Sequence, residues 1–136
     1  MFTRMAFVTC LALLFLGSAA QSEEASSATE NGSAAGAAVS NVESMAEREL
    51  EIGRYYMSRG NHVGAINRFK VVVTRFPSSS AVDQALFRLV QVYLTIGIRN
   101  EAQAAAAVLN RKAPESHWRS DALDILTKAG LEPAED

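Results

Sequence analysis

The two histidines are the residues of this chain best suited to hold a metal ion or to move a proton near neutral pH. His62 and His117 are the only histidines in the sequence. They lie in different predicted hairpins, each near the start of a helix, and neither belongs to a cluster of metal-ligand residues. We therefore interpret both as surface or helix-cap residues and predict no metal site.

Three glutamates at alternate positions, Glu47, Glu49 and Glu51, are close enough in sequence to be considered for general acid–base chemistry. On a helix, alternate residues point in different directions, so these carboxylates form a solvated face instead of converging. The sequence also lacks a glycine-rich phosphate loop and a serine nucleophile elbow. We predict that the chain is not an enzyme, uses no cofactor and binds no small-molecule substrate. Its net charge of -2 argues against a nucleic-acid partner.

Cys10 is the only cysteine, and lipid attachment and redox chemistry are the two functions open to it. A lipid-bearing cysteine follows small residues at the end of an apolar run, whereas Cys10 lies inside such a run. We favour a third interpretation, a small hydrophobic residue of a signal peptide. The mature chain then has no cysteine for a disulfide or a thiolate metal site.

The N-terminal segment has the pattern of an export signal. Arg4 precedes an apolar run over 5–16, and the small residues Ser18, Ala19 and Ala20 follow it. We predict a signal peptide over 1–20 and cleavage after Ala20; the alternative is an uncleaved membrane anchor, for which the run is short. The sequence therefore predicts an exported protein.

Two polar segments flank the rest of the chain. Residues 21–43 contain almost no large apolar side chain, which predicts a disordered linker. Residues 131–136 form a short acidic tail. Between them, apolar residues recur at helical spacing, so we predict an all-α domain over 44–130. Its five helices are predicted over 44–58, 62–76, 81–96, 99–112 and 117–129.

Residues at the predicted helix ends support these boundaries. Asn61 is a plausible N-cap for the second helix. Ser80 with Asp83 resembles a weak capping box for the third helix. Gly97 and Gly130 are placed to end the third and fifth helices.

One helical hairpin occurs twice in this domain. Matching residues recur about 37 positions apart, and a period of this size is typical of a helical solenoid. A final single helix closes the array, giving about two and a half repeats. The matching pairs are Tyr56 and Tyr93, Gly60 and Gly97, Ala65 and Ala102, and Pro77 and Pro114.

The first unit resembles a tetratricopeptide repeat. Gly53 and Ala65 are small residues that let two antiparallel helices approach closely, and Tyr56 and Phe69 fill the space beside them. Pro77 ends the hairpin. The second unit departs from the pattern, with Val90 at the glycine position and Ala106 at the phenylalanine position.

In tetratricopeptide arrays the first helix of each hairpin lines a concave groove. The resemblance therefore implies a protein-binding surface made of side chains from the first and third helices. By position in the repeat these are Glu47, Leu50, Arg54 and Met57, followed by Gln84, Phe87, Gln91 and Leu94.

A narrower resemblance runs from about residue 47 to residue 127. Residues 53–61 read GRYYMSRGN, residues 65–69 read AINRF, and residues 75–77 read RFP. In this order and spacing they are similar to the C-terminal half of the BamD family, the tetratricopeptide lipoproteins of the outer-membrane β-barrel assembly machine.

This resemblance implies a periplasmic scaffold, associated with the outer membrane, that acts in the assembly and insertion of β-barrel proteins. Family members bind the POTRA domains of the barrel-inserting subunit through their C-terminal repeats. The family's partner-contacting arginine matches Arg68, next to Asn67, and an arginine fork suits a partner carboxylate. The alternative is a generic periplasmic adaptor that binds other proteins of the cell envelope.

The chain departs from the family in two respects. Family members carry about five repeats, and Cys10 does not match the family's lipid-bearing cysteine. A truncated gene product, a wrongly assigned start and a short soluble relative each account for these differences.

Overall fold

The domain is a stack of antiparallel α-helices. The structure is a computed structural model that describes residues 24–134, with side chains from residue 34 onward. Its helices are α1 (Glu24–Ser58), α2 (His62–Arg75), α3 (Ala81–Thr95), α4 (Arg99–Lys112) and α5 (His117–Lys128). The described residues include no β-strand, so the predicted all-α fold of helical hairpins is confirmed. None of the described helices combines the length and the hydropathy that a membrane crossing requires.

The start of α1 corrects the sequence prediction. The helix begins at Glu24, inside the segment predicted to be a disordered linker, and not near residue 44. Residues 34–42 are all exposed, so this part of the helix buries little side-chain surface, as the composition indicated. Lack of burial does not prevent helix formation in an alanine-rich segment, because alanine has the highest intrinsic helix propensity.

The contacts of the chain divide it into a unit ending at Ala38 and a second unit from Val39 onward. All the packing described below lies within the second unit. The predicted signal peptide, its cleavage site and Cys10 lie outside the described residues.

The turns within the two hairpins have the same backbone geometry. Gly60 and Gly97 have φ values of 74° and 79°, a left-handed conformation that costs other residues free energy. At the start of α2, the Asn61 side chain accepts a hydrogen bond from the Gly64 backbone N–H at 2.9 Å. Asn61 is therefore the N-cap that the sequence predicted.

The predicted capping box of α3 is wrong. Ser80 has helical dihedral angles, φ -63° and ψ -21°, and its side chain makes no capping bond. Its hydroxyl donates to the Glu43 carboxylate of α1 instead. The neighbouring Ser79 hydroxyl accepts the Ala81 backbone N–H at 3.1 Å, so a different serine satisfies the start of α3.

Helix α3 is the centre of the hydrophobic core and packs against α2, α4 and α5. Its Val90 and Val92 are fully buried. Helix α4 buries four alanines, whose small side chains let it pack closely against α3. They are Ala102, Ala105, Ala106 and Ala107. The partly buried Trp118 of α5 packs on Phe87 of α3, with ring centroids 5.1 Å apart, so Trp118 contributes to packing of the last helix.

Candidate partner-binding surfaces

Arg68 lies on α2 and forms an ion pair with α1. Its Nη1 donates to Oε2 of Glu49 at 3.1 Å. The side chain of Arg68 is 41% exposed and that of Glu49 is 24% exposed. The hydrogen bond that Arg68 donates to this carboxylate, together with the negative charge of Glu49, raises the pKa of Arg68 above its ordinary value. The guanidinium is therefore held in one orientation while much of it faces solvent.

A shallow pocket of about 210 Å³ lies beside this ion pair. Asn67, which is exposed, and Arg68 form part of its wall. The capping residues Asn61 and Gly64 form another part, and Tyr56 of α1 also lines the pocket. Because a guanidinium has five N–H donors in a fixed fork, the bond to Glu49 leaves donors for a second acceptor at the pocket.

The residues predicted to line the groove between α1 and α3 divide by burial. Glu47 and Arg54 are exposed, and Met57, Gln84, Gln91 and Leu94 are half-buried. Leu50 and Phe87 are only 5% and 6% exposed and belong to the hydrophobic core. The repeat position places a residue on a helix face but does not give its depth in the stack, so these two side chains contribute packing.

A second pocket, of about 650 Å³, is lined by residues of α1 and by Arg88 of α3. Arg54 and Met57, predicted from the sequence, lie in it together with Glu51, Tyr55 and Ser58. The sequence analysis missed Arg88. The sequence nevertheless contains a pattern that points to Arg88. Gln84 lies four residues before it and Gln91 three residues after it, so all three share one face of the helix.

Arg88 is half-buried with incomplete hydrogen bonding. Its Nη1 donates to Oε1 of Gln91 at 2.9 Å, whereas its Nε is buried with no partner among the described residues. Burial lowers the pKa of Arg88, and the positive charge of Arg54 lowers it further. Arg54 itself pairs with Glu51 at 2.7 Å.

The histidines do not come together in the described structure. His117 lies against Trp118, with ring centroids 4.3 Å apart, and His62 starts α2. Among residues 24–134, no group of three histidine, cysteine or acidic side chains is arranged to hold a metal ion. The described residues thus offer two pockets as candidate surfaces for binding a partner.

A comparison with known protein families matches the segment of the chain that contains these surfaces. The family model YfiO, described as outer membrane lipoprotein, matches residues 38–109. This segment contains α2, α3 and most of α4, together with Arg54, Arg68 and Arg88.

Curated relatives agree with the family match. The chain is 44% identical over 90 residues to the outer membrane protein assembly factor BamD of Caulobacter vibrioides, covering 66% of this chain and 30% of that protein. It is 36% identical over 82 residues to BamD of Rickettsia prowazekii, covering 60% of this chain and 33% of the relative. The BamD of Neisseria meningitidis serogroup B is 28% identical over 85 residues.

The aligned segment spans about a third of the length of these relatives. No solved structure matches the chain. The family model nevertheless matches more than half of the chain, over the repeats that carry the resemblance seen in the sequence. The chain therefore belongs to the YfiO family of outer membrane lipoproteins, to which its BamD relatives also correspond.

Proposed function

We propose that this chain is a protein-binding scaffold that acts in the assembly of outer-membrane β-barrel proteins. The relatives carry the name of outer membrane protein assembly factor, and the matched segment contains the described binding surfaces. In this proposal, residues 1–20 direct export and the repeat domain over 44–130 works in the periplasm, at the outer membrane. The partner is the POTRA region of the barrel-inserting subunit.

The observation that carries the proposed contact is the oriented, half-exposed guanidinium of Arg68. Glu49 holds one side of the fork at 3.1 Å, and Asn67 adds an exposed amide beside the pocket. An arginine already fixed by one carboxylate loses less side-chain entropy when it binds a second one. We expect a partner carboxylate to enter at this pocket and to form a Glu49–Arg68–carboxylate chain of charges.

Affinity capture tests this proposal. The chain without residues 1–20 is used to recover partners from detergent-solubilised envelope, beside the Arg68→Glu, Arg68→Lys and Arg75→Glu variants. Arg75 is an exposed arginine at the end of the same helix, so its variant is a matched control for charge reversal. Far-UV circular dichroism of each variant verifies that the helices are retained.

We expect wild type and Arg75→Glu to recover the barrel-inserting subunit and Arg68→Glu to recover at least tenfold less, as is typical when one partner of a charge pair is reversed. Arg68→Lys retains the charge without the fork and should give an intermediate yield. Equal recovery by wild type and Arg68→Glu would refute the contact. Recovery of other envelope proteins instead would support a generic adaptor and refute the proposed function.

A further inference from the structure

Two arginines from different hairpins face one pocket. Arg54 of α1 and Arg88 of α3 both line the pocket of about 650 Å³ between the first helices of the two repeats. Tyr55 and Met57 lie beside them, and both residue types are enriched at protein interfaces. The pocket thus combines two guanidinium groups with partly exposed apolar surface.

Positive charge exceeds negative charge at this pocket. Glu51 is the acidic residue in its lining, and its exposed carboxylate pairs with the exposed guanidinium of Arg54. Arg59 adds a further cation nearby, because its guanidinium lies 5.4 Å from the centre of the Tyr55 ring. Glu51 also attracts Arg88, but this one carboxylate stands against two guanidinium groups in the lining, so a net positive charge remains.

The hydrogen-bonding capacity of Arg88 is also incompletely used. One donor reaches Gln91, and Nε is buried with no partner in the described part of the chain. A buried donor without an acceptor costs free energy, and reorientation of the guanidinium toward an acceptor in the pocket recovers this cost. The repulsion between the two guanidinium groups, which contributes to the lowered pKa of Arg88, is relieved by an anion between them.

We propose that this pocket binds a carboxylate side chain on an acidic segment of a partner protein. A carboxylate accepts two parallel hydrogen bonds from an arginine fork, which matches the donors that Arg54 and Arg88 present. Glu51 limits the excess positive charge, so a singly charged carboxylate fits better than a doubly charged phosphate. Tyr55 and Met57 then contact the apolar side chains next to the acidic residue.

This site is separate from the Arg68 contact. The pockets at Arg68 and at Arg88 share no lining residue. The proposal therefore stands or fails independently of the POTRA contact, and Arg68→Glu serves as a control for it.

Fluorescence anisotropy with defined probes tests the proposal. One labelled peptide alternates glutamate and serine, and its neutral match alternates glutamine and serine. Both are titrated with the chain without residues 1–20 at low ionic strength, where charge interactions are strongest. The variants are Arg54→Gln and Arg88→Gln in the pocket, with Arg99→Gln as a matched charge loss at an exposed position on α4.

We expect the glutamate peptide to bind and the glutamine peptide to bind at least tenfold more weakly. Arg54→Gln and Arg88→Gln should each weaken binding about tenfold, as is typical for loss of a hydrogen bond to a charged group. Arg99→Gln and Arg68→Glu should leave it within about twofold. Because Arg54 is exposed, its variant retains the fold even where Arg88→Gln does not.

Three results would overturn the proposal. The first is equal binding of the two peptides, and the second is a loss at Arg99 as large as the loss at Arg54. The third is displacement of the probe by inorganic phosphate when chloride of the same ionic strength does not displace it, since this would assign the pocket to phosphate.

Discussion

The closest approach between α1 and α2 depends on a glycine facing an aromatic ring. A Cβ atom built on Gly53 would lie 2.5 Å from Cε1 and 2.7 Å from Cδ1 of Phe69, well inside van der Waals contact. The equivalent positions of the second repeat carry Val90 and Ala106, both buried. A small residue and a large one thus exchange places between the repeats, which keeps the total volume at this position of each hairpin similar.

Gly53→Ala should destabilise the domain. Alanine improves helix propensity by about 1 kcal/mol, but its methyl group overlaps a buried ring that is confined by the core. We expect a net loss of about 1–2 kcal/mol in the free energy of unfolding, measured by urea denaturation. Gly36→Ala is the control and should lose nothing, because no described atom beyond the adjoining helix backbone lies within 4 Å of the added Cβ. Equal stability of both variants would contradict this account of the interface.

Features of single residues were predictable from the sequence where neighbouring residues determine them, and not where packing between helices does. Repeat spacing placed Gly53 and Phe69 opposite each other, and motif similarity singled out Arg68. The burial of Leu50 depends on how deeply one helix sits against the next, and so does the lack of a partner for Nε of Arg88 among residues 24–134. That depth is set by side chains from several helices, so no single stretch of sequence contains it.

The carboxylate of Glu43 on α1 is hydrogen-bonded to the connection between α2 and α3. Glu43 accepts hydrogen bonds from the Ser80 hydroxyl and from the Ser80 backbone N–H, the latter at 3.2 Å. The Ser80 hydroxyl is the main cause of a pKa of Glu43 below its ordinary value of 4.5, and Ser79 adds to it. These two hydrogen bonds link α1 to the residue that precedes α3, 37 positions later in the sequence.

Stability should therefore fall in acid through Glu43. Because its pKa is lower in the folded than in the unfolded state, the stabilisation is present above the unfolded pKa of about 4.5 and is lost as the pH falls through the folded pKa. We expect the urea midpoint to fall more steeply below pH 4.5 in wild type than in Glu43→Gln. Glu115→Gln removes the same charge at an exposed position and should follow wild type. Parallel curves for wild type and Glu43→Gln would contradict this role.

Helix boundaries were predictable where a local signal marks them. The helices α2 to α5 begin and end within about a residue of the predicted positions, because Asn61, Gly97 and Gly130 act on their own backbone. The start of α1 has no such signal. There the sequence analysis relied on burial, which determines whether a helix packs and not whether it forms.

At the scale of the whole molecule, the two sides of the stack differ. On one side, α5 covers α3 and α4 and buries Leu126 completely. On α1, Val39, Val42 and Met45 are exposed large hydrophobic side chains, 71%, 41% and 58% accessible. A repeat unit buries its apolar face only against its neighbours, so α1 contributes less stability than an enclosed helix does.

The chain should nevertheless unfold as one unit of low stability. Helices α2, α4 and α5 all pack directly on α3, so loss of any of them exposes the same buried residues. Trp118, the single tryptophan, reports on α5 through its contact with Phe87, while far-UV circular dichroism reports on all helices. We expect the two signals to give the same urea midpoint and a free energy of unfolding of about 3–5 kcal/mol, typical of a core this small.

Leu126→Ala should lower both midpoints together, because removing a fully buried leucine side chain costs about 2–5 kcal/mol. Loss of the tryptophan signal well before the helical signal would show instead that α5 detaches alone, and a melting temperature that is high and independent of protein concentration would contradict the low stability.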